Sequence, residues 1–229
     1  MVLLIFVAFI LLCLGVDAIV QLRKQKKGVV QEVAYSFPGF FSENTIVVPK
    51  GLYFDKTHTW AFMDKDGMVK IGIDDFFPHV TGLLTNIKMK NSGETIKKNE
   101  VFLSIIRNGK QLNIKAPVSG IIKAQNKALL TKTSLINSFP YSDGWVYMIE
   151  PTNWVREIQF LFIAEKFSIW LNTEFTRLKD FFSVMQKTNE TRYAQVVLQD
   201  GGELKEGILM DLRSEAWEDF QTHFIDTVK

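Results

Sequence analysis

Turn signals punctuate the middle of this chain too closely for long helices to fit between them. Asp66-Gly67, Asn91-Ser92-Gly93, Asn108-Gly109, Ser119-Gly120 and Asp143-Gly144 divide the stretch from Gly51 to Trp154 into short runs of alternating apolar and polar residues. Short strands at such spacing define an all-β barrel or sandwich. Of these signals, Asn108-Gly109 is the most specific. Both residues accept the positive φ of a type I′ turn, so the flanking runs Val101–Arg107 and Lys110–Ala116 are expected to form a tight hairpin.

Different patterns lie on either side of this stretch. Val2 to Val16 carry no charge, and apolar character resumes after Asp17 through Val20. As a helix this run spans a hydrocarbon core of about 30 Å. The basic residues Arg23, Lys24, Lys26 and Lys27 follow the run rather than precede it, which is the order of an uncleaved anchor, not of a signal peptide. By the positive-inside rule they place the N-terminus outside and the remainder in the cytoplasm. Asp17 either sits at headgroup level or pairs with a partner's cation in the bilayer. Beyond Trp154 the period becomes helical: Ile163, Phe167, Trp170, Leu171, Phe175, Leu178 and Phe182 mark one amphipathic helix over Val155 to Met185. A hairpin is expected from Tyr193–Leu198 and Leu204–Met210 around Asp200-Gly201-Gly202-Glu203, then a closing helix over about Arg213 to Val228. The expected organisation is thus an anchor at 1–22, a basic linker at 23–50, a β module at 51–154 and an α+β extension at 155–229.

Composition excludes several function classes. A net charge of +2 with both signs interspersed gives no polyanion-binding signature, so nucleic acid is not an expected partner. One cysteine (Cys13) and three scattered histidines rule out a disulfide framework and leave little for a transition-metal site. Nineteen phenylalanines point to apolar surface turned toward lipid or partners.

Four blocks carry a resemblance: Tyr53-Phe54-Asp55-Lys56-Thr57-His58-Thr59-Trp60, Val69-Lys70-Ile71-Gly72-Ile73-Asp74-Asp75, Ala116-Pro117-Val118-Ser119-Gly120, and Asn137-Ser138-Phe139-Pro140-Tyr141-Ser142-Asp143-Gly144-Trp145. Their order and spacing resemble the H protein of the glycine cleavage system. The resemblance implies a mainly β, barrel-sandwich hybrid fold and a lipoylated lysine at a hairpin tip, whose arm carries an aminomethyl group between enzymes. In that family the lysine stands eight residues before the proline of Pro-Val-Ser-Gly. Here that position is Gly109, and Ser104-Ile105-Ile106-Arg107 replaces the acidic residues that precede it. Lys110, one place later, is the attachment site only if the alignment slips by one residue.

Within the matched blocks, His58 and Trp60 are read as packing and hydrogen-bonding residues, Gly120 and Gly144 as turn glycines, and Asp74 and Asp75 as N-caps of a short helix. No nucleophile, base and orienting group come together, so no catalytic residue is assigned. Three placements compete for the aromatic helix containing Phe167, Trp170 and Phe175: packed on the β module, docked on another subunit, or lying on the inner leaflet. The expected function is a non-catalytic, membrane-anchored accessory or assembly subunit of an inner-membrane complex, with a respiratory or other redox assembly as the preferred kind. It would carry no cofactor, and its partners would be integral-membrane and other subunits, bound through Asp17, Phe167, Trp170 and Phe175. The alternative is a membrane-tethered carrier with lipoate on Lys110.

Overall fold

In a computed structural model of the chain, residues 39–188, 203–210 and 212–227 are described. The expected anchor with Asp17, and the Tyr193–Leu198 half of the expected hairpin, lie outside them. The described residues form one compact unit.

The chain runs through β1 (Phe40–Phe41), β2 (Tyr53–Asp55), β3 (Thr59–Met63), β4 (Val69–Ile73), α1 (Phe76–Thr81), β5 (Asn86–Met89), β6 (Thr95–Ile96), β7 (Val101–Arg107), β8 (Lys110–Lys115) and β9 (Gly120–Gln125). After a 3₁₀ turn and α2 (Ser134–Ser138) come β10 (Tyr147–Pro151), α3 (Trp154–Glu157), a second 3₁₀ turn and β11 (Phe162–Ile163). The long α4 (Ala164–Thr188) follows, then β12 (Leu204–Lys205), α5 (Ser214–Asp219) and a π-helical turn, Phe220–Ile225. A seven-stranded sheet has the order β11-β2-β3-β4-β10-β9-β6 and a three-stranded sheet the order β5-β7-β8, all pairs antiparallel. The fold is therefore mainly β with a helical C-terminal part, as the strand pattern and the helical period imply.

The turn chemistry decides the local connections. Asn108 and Gly109 take φ of 48° and 77°, which makes the two-residue type I′ link between β7 and β8, with Arg107 paired to Lys110. The matched blocks are stitched together by their own side chains. The Trp60 indole donates to the Ile73 carbonyl (3.0 Å) and to the Pro140 carbonyl (3.1 Å), while the Tyr141 hydroxyl donates to the Val47 carbonyl and accepts from the Asp75 N–H. Ser119 of Pro-Val-Ser-Gly is pinned by buried Glu157, to which it donates both its N–H (2.7 Å) and its hydroxyl (2.6 Å).

Several expectations need correction. Gly120 and Gly144 are required not by positive φ but by close approach: a Cβ would stand 2.6 Å from the Glu150 carbonyl oxygen and 2.7 Å from the Phe139 carbonyl oxygen, respectively. The single helix over Val155–Met185 is instead α3 and α4, separated by β11, which pairs with β2 through Phe162–Phe54 and Ile163–Tyr53. The β sheet therefore continues past the boundary drawn at Trp154. Leu204–Lys205 pair with Phe40–Phe41, a partner not expected from the sequence. The closing helix changes from α to π geometry at Phe220.

Packing answers what the aromatics are for. Phe167 and Phe175, at 0% and 1% exposure, lie in the core that joins α4 to the sheets, and Trp170 is partly buried against it. Phe167 stacks on Phe54 at 4.6 Å between centroids, and Phe175 meets Phe76 edge-on. The placement of this helix is thus on the β module. Phe167 and Phe175 are covered by their own chain and offer no free docking surface. Phe167→Ala is expected to lower unfolding free energy by about 3 to 5 kcal/mol, whereas Ile169→Ala, on the exposed face of the same helix, shifts it by less than about 0.5 kcal/mol, as read from denaturant midpoints.

Candidate functional site

Two neighbouring features carry the chemistry of this molecule: the tip of the β7–β8 hairpin and a pair of buried histidine clamps. At the tip, Gly109 has open space around its Cβ position, so the turn is exposed there. The residues on either side of the turn are not free. The Arg107 guanidinium donates to the Leu83 carbonyl. Across the hairpin, Lys110 donates from Nζ to the Met210 carbonyl (3.3 Å) and to the Leu212 carbonyl, and its ammonium lies 5.8 Å from the Trp217 ring centroid. The C-terminal segment thus holds the one lysine adjacent to the tip.

The first clamp centres on His58, in the turn between β2 and β3. It is 2% exposed and takes a positive φ of 57°, uncommon for a non-glycine residue. Its Nδ1 faces Asp74 Oδ2 at 3.0 Å and its Nε2 faces Glu174 Oε1 at 3.3 Å, while its ring stacks on Phe76 at 3.7 Å. Burial opposes a charge on this imidazole, but the Asp74 and Glu174 carboxylates outweigh it and push the pKa up to about 9. A ring with an acceptor on each nitrogen is satisfied only when both nitrogens carry protons. Glu174 is also buried, which disfavours its charge, yet hydrogen bonds from His58 and Arg177 hold it below the usual carboxylate range. Arg177 then reaches onward, donating to the Phe224 carbonyl at 2.8 Å and lying 3.7 Å from the Phe224 ring centroid.

The second clamp repeats this design one residue along. His79 Nε2 stands 3.6 Å from Asp75 Oδ2 and its Nδ1 2.6 Å from Glu206 Oε1. Burial again opposes the charge, and hydrogen bonds with Asp75 and Glu206 raise the pKa to about 9. Asp74 and Asp75, consecutive in sequence, therefore each hold one imidazolium, and the second carboxylate of each clamp comes from beyond Trp154. Asp74 Oδ1 also accepts the Phe76 N–H (2.9 Å) at the start of α1, which is the capping role read from sequence. Asp75 makes no such side-chain bond.

Sequence reasoning singled out His58, Trp60, Asp74, Asp75 and Lys110 but missed Glu174 and His79 as their partners. Glu174 lies 116 residues from His58, and its only sequence signal is a carboxylate on the apolar face of a helix between Leu171, Phe175 and Leu178. Among the described residues no group of His, Cys, Asp and Glu side chains has the arrangement of a metal site.

The fold and this site define a β-rich module built around a displayed hairpin, with its titratable groups paired to one another. The family model for the glycine cleavage H-protein matches residues 52–174, more than half of the chain. The chain is 33% identical over 122 residues to glycine cleavage system H protein 2 of Aquifex aeolicus, covering 52% of this chain and 75% of that protein. To the probable glycine cleavage system H protein of Pyrococcus abyssi it is 32% identical over 126 residues, covering 55% and 93%. A solved H protein from Mycobacterium marinum aligns with a TM-score of 0.43 and 26% identity over 46% of this chain and 87% of that one. The chain belongs to the glycine cleavage H-protein family. Residues 1–51 and 175–229 fall outside the family match.

The first clamp makes a pH prediction. With a folded pKa near 9 against 6.5 unfolded, His58 contributes stability that is complete below pH 6.5 and is lost as pH rises through about 9. Unfolding free energy is expected to fall across that window, and His58→Gln to flatten the fall by up to about 1.4 kcal/mol per pH unit, one proton's worth. Denaturant titrations of both proteins at several pH values read it, and identical slopes would refute the clamp.

Proposed function

We propose that this chain is a non-catalytic, membrane-anchored docking subunit that uses its H-protein fold without a lipoyl arm of its own. The observation that carries the reading is the state of the hairpin tip. Glycine stands where the resemblance puts the attachment lysine, and the adjacent Lys110 ammonium is engaged by two carbonyls and the Trp217 ring. Acylating Lys110 would remove its charge and all but one of its N–H donors, too few for the two carbonyls it now engages.

The membrane part of the proposal rests on the charge-free run at Val2–Val16 followed by the basic cluster at residues 23–27. It places the anchor in the inner membrane as a single pass, the folded module in the cytoplasm, and other subunits of a complex, integral-membrane ones included, as partners. Among the described residues no helix is long and apolar enough to cross a membrane.

A second reading has its own support. Family membership speaks for a carrier more directly than for an accessory subunit, and Lys110 stands next to the expected position. In that reading lipoate is attached to Lys110, the chain carries groups between enzymes, and the C-terminal segment releases the lysine.

The two readings separate in one experiment. The protein is purified from its own membranes in mild detergent, and its intact mass is measured with that of co-purifying subunits. An unmodified mass with stoichiometric membrane partners is expected, and Lys110→Ala is expected to leave that co-purification intact. A lipoyl mass increment on Lys110 would overturn the docking reading in favour of the carrier.

A further inference from the structure

We propose that the connection from α3 to β11 is a lipid-facing surface that seats in the headgroup zone of an anionic bilayer. The proposal rests on the membrane-anchored reading and says which face of the folded module turns toward the lipid.

The stretch after Trp154 turns apolar side chains outward from a fixed backbone. Val155 is 76% exposed, Phe160 68% and Ile163 47%. Between them Leu161 is buried, and buried Glu157 accepts from the N–H and hydroxyl of Ser119, so the exposure does not come from loose packing. Strand pairing gathers these side chains on one surface. Ile163 stands opposite Tyr53, which puts both side chains on one side of the sheet. The Tyr53 ring in turn meets the Trp154 ring edge-on, 5.7 Å between centroids. Two partly buried rings thus join Ile163 to the start of α3, where Val155 follows. β11 is also the end strand of its sheet, so among the described residues no further strand covers this side.

Charge decides what the patch fits. Between residues 153 and 166 both acids are already committed, Glu157 to Ser119 and Glu165 to Lys50 at 3.3 Å, whereas Arg156 and Lys166 are exposed. Lys56 adds another cation, its ammonium 6.0 Å from the Phe162 ring centroid. Aromatic rings with a polar end, outward aliphatic groups and flanking lysine and arginine suit the headgroup zone: carbon enters the acyl boundary and the cations meet lipid phosphates. The centre of a protein–protein interface is instead depleted of charge, and of lysine above all.

The path of the chain points the same way. Lys50, paired with Glu165, stands three residues before Tyr53, so the polypeptide coming from the N-terminal side enters the module beside this patch. Upstream lie the charge-free run Val2–Val16 and the basic residues at 23–27. Residues 28–38 separate that cluster from Gly39, and a stretch of this length reaches at most about 40 Å. On so short a tether the local concentration of lipid is high, and a patch too weak to bind a membrane alone is sufficient.

Lipid quenching of a fluorescent dye on the full chain tests this. The only cysteine, Cys13, lies in the charge-free run, so a dye there reports the anchor. In a Cys13→Ala, Val155→Cys variant the same dye reports the patch. Both proteins are reconstituted in vesicles of phosphatidylcholine and phosphatidylglycerol that carry nitroxide-labelled acyl chains. The dye at residue 155 is expected to lose about half or more of its emission, and Arg156→Glu with Lys166→Glu to restore most of it. A dye at Leu130→Cys, exposed but outside the patch, is expected to stay bright. An unquenched dye at residue 155, or equal quenching at residue 130, would overturn the proposal. A dye at residue 155 that is unquenched in vesicles but shielded in native membranes would overturn it in favour of a protein contact. If Val155→Cys does not fold, Phe160→Cys replaces it with the same expected and contrary results. Quenching at Cys13 is read separately, so failure of the patch is distinguishable from failure of the anchor.

Discussion

A buried imidazolium between two carboxylates sets the arrangement of this molecule. Placing a charge on His58 inside the core is costly unless both ring nitrogens are paired, and Asp74 and Glu174 pair them. Asp74 belongs to the junction of β4 and α1 and Glu174 to α4, so satisfying one side chain fixes a long helix against the β module. The positive φ of His58 is part of the same constraint, since it turns the ring inward from a tight connection. From Glu174 the chain of contacts continues through Arg177 to Phe224, and from there to the segment that lies on β8. His79 anchors the other end of that segment through Glu206. Removing either imidazolium would leave carboxylates facing one another in the core.

The features legible in sequence are the ones fixed by neighbouring residues. Asn108-Gly109 determines its hairpin because the required φ values belong to those two residues. Asp74 reads as a cap because its target, the Phe76 N–H, is two residues away. What escaped was set by distant partners. Nothing near Asp74 announces that its second oxygen holds His58, and Glu174 becomes meaningful only when α4 folds back. The two-residue strand β11 was hidden inside an apolar stretch whose helical period it does not interrupt, because Phe162 and Ile163 suit either structure. The excess of phenylalanine suggests surface turned toward lipid or partners. Phe167, Phe175, Phe182, Phe220 and Phe224 instead form the seam between the β module and its own extension.

The hairpin tip is built from its own local turn chemistry. The type I′ turn needs no arm to be stable, and Gly109 serves it better than a lysine would. Lys110 contributes its charge to holding the C-terminal segment, which also supplies Gln221 and Asp226 to the adjacent edge. Residues beyond the family match thereby cover the element on which the resemblance places the carrier's working side chain.

The claim at the centre of this account is that His58 is a charged residue in the core. Nitrogen-15 spectra of its imidazole ring test that claim directly, recorded on the full chain at pH values between 6.5 and about 9. The account predicts two protonated ring nitrogens through most of that window, with loss of a proton only near its upper end. A neutral ring throughout, with a single protonated nitrogen, would contradict it.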